Sequence, residues 1–282
     1  MKRFLLLFSL FTFLPGYAQV YERNVKLVIE ALAADSLSKA EKLIQQTIQL
    51  DPERESNAVL YQYLGEIYQR GGQNSQALDA YTKGIALVKP QPAAAKHPIS
   101  LAGLLLGRAS LHLMMNNPER ALLDYDKLLA TDPDNEEALF FRAFIYSGQR
   151  RNREARTDYD HLLKVNPMHE DARLGLAILN SKDGRPREAM EQLDALIQLY
   201  PTHARHYLAR CGLYEQRREY ERAIQDVERA IECEPDNPEC YLTRASLYLA
   251  MKKKRLAGQD CRTAISLGAS GSHVASILEK TR

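Results

Sequence analysis

The residues best suited to chemistry in this chain come in matched pairs. Arg108, Arg142, Arg210 and Arg244 are each followed sixteen residues later by an aspartate, at Asp124, Asp158, Asp226 and Asp260. A guanidinium and a carboxylate can form a two-pronged, charge-assisted hydrogen bond. Acid–base chemistry needs such groups to converge on one reacting atom, and four copies spread along a chain do not converge. A structural ion pair in each copy is therefore expected. His203 and His206 stand three apart, but no third ligand is apparent in the sequence, so no metal site is expected. All four cysteines (Cys211, Cys233, Cys240 and Cys261) lie near the C-terminus. Cys233 ends one predicted helix and Cys240 begins the next across a proline turn, a spacing compatible with a disulfide or with two free thiols. Cys211 and Cys261 fall at small or apolar places and read as buried thiols. No phosphate-binding glycine loop, nucleophile elbow, zinc-ligand motif or cofactor motif is present. Catalysis is not expected, and neither is a cofactor.

The elements that must position these residues follow from an internal period. Ala121, Ala155, Ala189, Ala223 and Ala257 recur every 34 residues, and Pro133, Pro167, Pro201 and Pro235 keep the same step. Nine residues before the alanines stand His112, Tyr146, Asn180, Tyr214 and Tyr248; twelve before them stand Ala109, Ala143, Ala177, Cys211 and Ala245. The paired arginines lie thirteen before the alanine and the aspartates three after it. Where Leu27, Leu64 or Leu176 replaces the arginine, the aspartate is also gone, leaving Leu43, Ala80 or Gln192. Extended backwards, the lattice finds Ala77 and Ala40. Within 136–169, Leu139, Ala143 and Tyr146 make one apolar stripe at helical spacing, and Ala155, Tyr159, Leu162 and Leu163 make another. Two amphipathic helices per period are predicted, broken by turns such as Gln149-Arg150-Arg151-Asn152 and closed before the proline. Such a pair cannot bury both faces alone, so neighbours must stack.

The run Tyr61-x2-Leu64-Gly65-x2-Tyr68, followed by Ala77 and Tyr81, resembles the tetratricopeptide repeat family, and the resemblance covers nearly the whole chain after residue 20. Seven repeats are expected, at 21–54, 58–91, 102–135, 136–169, 170–203, 204–237 and 238–271, with 92–101 as an insertion and 272–282 as a C-terminal capping helix. The resemblance implies an all-α, right-handed superhelical solenoid of helix-turn-helix repeats whose first helices line a concave side. It also implies partner-facing positions there: Leu106, Ser110 and Leu113, then Phe140, Phe141 and Phe144, then Leu174, Ile178, Leu208 and Leu242. The groove is apolar, and a protein or peptide partner presenting an apolar or amphipathic segment is expected in it. A scaffold with one such partner is the leading functional expectation; a holdase for exposed apolar segments of exported proteins is the alternative.

Charge and the N-terminus limit the remaining classes. The 282 residues carry 38 Lys and Arg against 36 Asp and Glu, and Lys2 and Arg3 account for the excess of +2. A near-neutral body lacks the basic footprint that nucleic-acid binding requires. Turns inside repeats are basic (Arg150-Arg151, Arg217-Arg218, Lys252-Lys253-Lys254-Arg255), whereas turns between repeats are acidic, as at Asp132-Pro133-Asp134 and Glu234-Pro235-Asp236. One basic and one acidic edge are expected from this sorting, as solvated turns or, alternatively, with the basic edge docking an anionic membrane surface or a charged partner. Lys2-Arg3 precede an apolar run from Phe4 to Leu14, with Gly16 and Ala18 before a cleavage place. Residues 1–18 therefore read as a signal peptide, and a periplasmic or secreted location, in contact with the outer membrane through partners, is expected.

Overall fold

A computed structural model describes residues 15–89 and 99–281, and every regular element among them is an α-helix. The helices are α1 (Pro15–Ala33), α2 (Leu37–Leu50), α3 (Asn57–Arg70), α4 (Asn74–Leu87), α5 (Ile99–Met114), α6 (Pro118–Leu129), α7 (Glu136–Gly148) and α8 (Asn152–Val165). They continue as α9 (Glu170–Lys182), α10 (Pro186–Leu199), α11 (Ala204–Gln216), α12 (Tyr220–Cys233), α13 (Pro238–Ala250), α14 (Lys254–Ser266) and α15 (Ser272–Thr281). The basic and apolar stretch expected to be a signal lies outside the described residues up to residue 14, as does most of the expected insertion; α5 begins at Ile99, inside its end. The chain forms two compact units, Met1–Phe141 and Arg142–Arg282.

In both units helices pair in sequence order, α3 on α4 and α5 on α6 in the first, α9 on α10, α11 on α12 and α13 on α14 in the second. The crossing is built from residues too small to hold helices apart. All seven reference alanines, from Ala40 to Ala257, are sealed from solvent, as are Ala109, Ala143, Ala177, Cys211 and Ala245 on the facing helices.

The turn within each pair uses one backbone device seven times. Five residues before the reference alanine the chain enters the left-handed region, at Asp35, Gly72, Asn116, Arg150, Gly184, Arg218 and Lys252, with φ between 50° and 72°. The next residue's N–H then reaches back to the carbonyl nine before the alanine, as in Arg151 to Tyr146 and Lys253 to Tyr248, both at 2.8 Å. This is the Schellman ending, which satisfies carbonyls left open by the last helical turn. Pro118 and Pro186 start the helices that follow two of these turns, where a missing N–H costs nothing.

Neighbouring repeats fit by trading volume across the junction. Tyr81 lies so close to Gly107 of the next repeat that a Cβ added there would sit 2.7 Å from its ring, and it leaves as little room at Gly65 of its own repeat, 2.5 Å. Tyr159 leaves the same lack of room at Gly175, 2.6 Å. Where the bulky residue is Leu193, the matching place is Ala209, which packs against it. In the first unit Tyr125 faces Phe141 and the rings stack, 6.2 Å between centroids and 10° between planes.

Val274 and Ile277 of α15 bury themselves against Leu242, Ala245, Ala257, Cys261 and Ala264. Each such side chain contributes about 1.5–3 kcal/mol by leaving water. The apolar face that a further repeat would cover is thereby closed.

Because Lys252 adopts a left-handed φ of 60°, Lys252→Gly should stabilise the chain by about 1 kcal/mol, and Gly184→Ala should destabilise it by a similar amount. Urea unfolding of both variants checks this.

Candidate functional site

The four Arg–Asp pairs close in full. Arg108 meets Asp124 through Nε at 2.9 Å and Nη2 at 2.6 Å, and Arg142 meets Asp158 at 2.8 and 2.7 Å. Arg210 meets Asp226 at 2.9 and 2.7 Å, and Arg244 meets Asp260 at 2.7 and 2.8 Å. Each aspartate is buried and each arginine is about one-fifth exposed, at 20–22%. They are two-pronged bonds spanning the two helices of one repeat, and the copies lie on separate helix pairs.

Arg108 and Arg210 carry a third prong that the pair spacing does not announce. Their Nη1 reaches the preceding repeat, five residues past its reference alanine: Arg108 to Thr82 at 3.1 Å and Arg210 to Asp194 at 2.7 Å. The hydrogen bonds that Arg244 donates to Asp260 raise its pKa, and Glu228, at the equivalent place in the repeat before it, adds to the rise. A hydrogen-bond acceptor at that place is visible in the sequence only once the arginine's third prong is known. Of the three repeats lacking the pair, 170–203 substitutes a neutral bond, Asn180 Nδ2 to Gln192 Oε1 at 3.0 Å.

A second recurrent bond ties the turns between repeats. The carbonyls of Pro167, Pro201 and Pro235 accept from Arg173 Nε, Tyr207 Oη and Tyr241 Oη at 2.8, 3.0 and 2.9 Å. On the opposite turns the basic residues are partly neutralised, with Arg151 on Glu154 at 3.0 Å, Arg156 on Asp183 at 2.8 Å and Arg222 on Glu219 at 2.7 Å.

The expected groove residues divide by what touches them. In the first unit Leu106, Ser110, Leu113, Phe140 and Phe141 are half-buried. Phe141 belongs to the junction with Tyr125, and Phe140 sits edge-on to it at 5.2 Å. In the second unit Leu174 packs beside Leu193 and Leu196, and Leu208 packs on both sides of its helix. Leu242 corrects the expectation: it is only 7% exposed because α15 covers it, so it lines no open surface. Phe144 and Ile178 remain, 60% and 39% exposed and one 34-residue step apart on α7 and α9. The next step is Gly212 on α11, with nothing within 4 Å of where a Cβ would lie.

The disulfide alternative is also corrected. Cys233 and Cys240 are free thiols, as are Cys211 and Cys261. Cys233 Sγ turns back towards the Pro201 carbonyl at 3.7 Å, whereas Cys240 points into the core with Ala204, Tyr207 and Ala230. Burial pushes the Cys240 thiol up to about 11 and Cys211 to about 12, so neither is a ready nucleophile.

Comparison with known proteins fits this geometry. A tetratricopeptide repeat family model matches residues 142–204 and 181–238. A solved tetratricopeptide repeat protein from Parabacteroides merdae is 28% identical, covers 93% of this chain and 99% of its own, and superposes with a TM-score of 0.74. The chain has the tetratricopeptide repeat fold, and the family's model matches it across 142–238. YrrB, described as a tetratricopeptide repeat protein with an unusual peptide-binding site, shares the fold at 18% identity, covering 74% of this chain and 97% of its own, TM-score 0.55. The Cut9–Hcn1 hetero-tetramer structure of the APC/C shares it at 13% identity, covering 94% of this chain and 48% of its own, TM-score 0.64. No curated protein matches the sequence. Tetratricopeptide repeat proteins are generally non-catalytic scaffolds that bind protein or peptide partners. No helix among the described residues is long and apolar enough to cross a membrane.

His112 occupies the tyrosine place of its repeat, buried, with Nδ1 making no hydrogen bond. Burial lowers its pKa below the usual 6.5, against the pull of Asp124 and with help from Arg108 and Arg120. Below that ordinary value the unfolded chain takes up a proton that the folded chain refuses, so folding weakens as pH falls. His112→Phe should therefore show a smaller drop in melting temperature between about pH 7.5 and about pH 5.5 than the natural protein does.

Arg244→Leu strands Asp260 and should cost about 2–4 kcal/mol, between values typical of exposed and buried pairs. Grafting the neutral arrangement, Arg244→Leu with Tyr248→Asn and Asp260→Gln, should recover most of that loss in denaturant unfolding.

Proposed function

We propose that this protein is a non-catalytic scaffold of a bacterial envelope or secreted space that holds an apolar or amphipathic segment of a partner protein. The observation carrying this reading is the exposure of Phe144 and Ile178 at one lattice place, while the other expected contact residues are wholly or partly packed. On α9 and α11, which touch, Ile178 stands beside a place where Gly212 leaves open room. An apolar ridge on the partner would gain by covering Ile178 and filling the space over Gly212. Water-exposed aromatics that become covered are the usual anchors of such contacts. The peptide-binding site described for YrrB, which shares the fold, supports the class of ligand. Location rests on the basic and apolar N-terminal stretch. Exposed Arg150, Arg218 and Lys252 at the turn apices support contact of that edge with an anionic surface.

A panel of fluorescent amphipathic helical peptides, titrated with the protein and followed by anisotropy, tests the reading. At least one peptide should bind, and Phe144→Glu with Ile178→Glu should weaken it at least about tenfold, the equivalent of one lost anchor. Equal binding by wild type and variant would remove the site.

A further inference from the structure

Three side chains with metal-binding chemistry meet at the start of α9 and α11. Glu170 is the first residue of α9, His203 is the N-cap of α11, and His206 lies in its first turn. One ligating atom from each lies within 4.8 Å of the others. His203 Nδ1 is 2.7 Å from Glu170 Oε1, and His206 Nε2 is 3.0 Å from the same oxygen.

His206 is the informative member. Its side chain is 0% exposed, its Nε2 is left without a well-aligned hydrogen bond, and the backbone at Tyr200 offers the ring a partner. Its Nε2 faces the carboxylate without the alignment that a shared proton would give. A buried polar atom left in this state costs about 1–3 kcal/mol, and a native site normally has something to satisfy it. The two rings are also held in place: Tyr200 stacks on His203 at 5.4 Å and 13°, and lies 5.9 Å from His206. Glu170 is anchored from outside by Arg205, which binds it through Nε at 3.1 Å and through Nη2, and also binds Asp171.

We propose that Glu170, His203 and His206 form a Zn2+-binding site that staples α9 to α11. Two imidazoles and one carboxylate are a known three-protein-ligand set for this ion, with the fourth position left to water or another ligand. In a tetrahedral site with bonds of about 2.0–2.2 Å, ligand atoms stand about 3.3 Å apart. The two contacts to Glu170 Oε1 need to open by about 0.3–0.6 Å to reach that spacing, and the two histidine nitrogens already stand within 4.8 Å of one another. His203, 43% exposed, marks the side open to solvent. Arg205 competes for the carboxylate, and on metal binding it keeps Asp171 as its partner.

The test is Zn2+ titration of chelator-treated, desalted full-length protein against a chromophoric zinc indicator, with melting temperature read in parallel. Wild type should withdraw one Zn2+ per chain from the indicator and melt higher with the metal. His203→Ala and Glu170→Gln, both at partly exposed positions and checked for native helix content, should each weaken binding beyond the about 10–100-fold typical of losing an outer partner. Neither should gain in melting temperature. Arg205→Gln, which frees the carboxylate, should tighten binding. Absence of the one-equivalent step in wild type, or its survival undiminished in His203→Ala and Glu170→Gln, overturns the proposal.

Discussion

Everything in this chain depends on how closely its helices approach at one crossing per repeat. The reference alanines and the small residues facing them are sealed from solvent because no larger atoms stand between the two backbones. Packing density of this kind is sensitive to a single methylene, which explains why the small residues hold their register from one repeat to the next. The two-pronged Arg–Asp bond follows from the same proximity: a guanidinium on one helix can reach a buried carboxylate on the other only if the helices are close and the register is kept. The left-handed turn follows as well, since it reverses the chain within a few residues and returns the second helix onto the first.

Between repeats the governing quantity is volume rather than charge. Tyrosine rings at Tyr81 and Tyr159 press on glycine, and Leu193 meets alanine. This trade decides which aromatic residues are free to do anything else. Phe141 answers Tyr125 across a junction and is consumed by the fold; Phe144, three residues on, answers nothing described and stays in water. The third prong of the arginines adds a polar link between the same neighbours, as from Arg210 to Asp194.

Helices, their pairing and the Arg–Asp bonds were legible in the sequence because each recurs at a fixed spacing, and repetition separates signal from accident. Tertiary contacts made once were not legible. Leu242 occupies a groove-type place like Leu208, and only the docking of α15 distinguishes it. Cys233 and Cys240 straddle a proline turn as a disulfide would, but one side chain turns back to Pro201 and the other inwards. Glu170 lies 33 residues before His203, one short of the period, so no lattice place connects it to the histidines that it meets. The left-handed residues were hidden for another reason: arginine, lysine, aspartate and asparagine fill the place as well as glycine does, so composition gives no warning.

The claim that each helix crossing and its turn form one locked element is tested most directly by hydrogen exchange at the turn amides. Asn117, Arg151, Arg185, Glu219 and Lys253 each donate to the last buried turn of a first helix at 2.8–2.9 Å. If crossing and turn are one element, these amides exchange slowly, at rates matching the helix interior that they close. If instead they exchange as fast as the acidic turns between repeats, the turns open independently, and the close crossing is not what holds the repeat together.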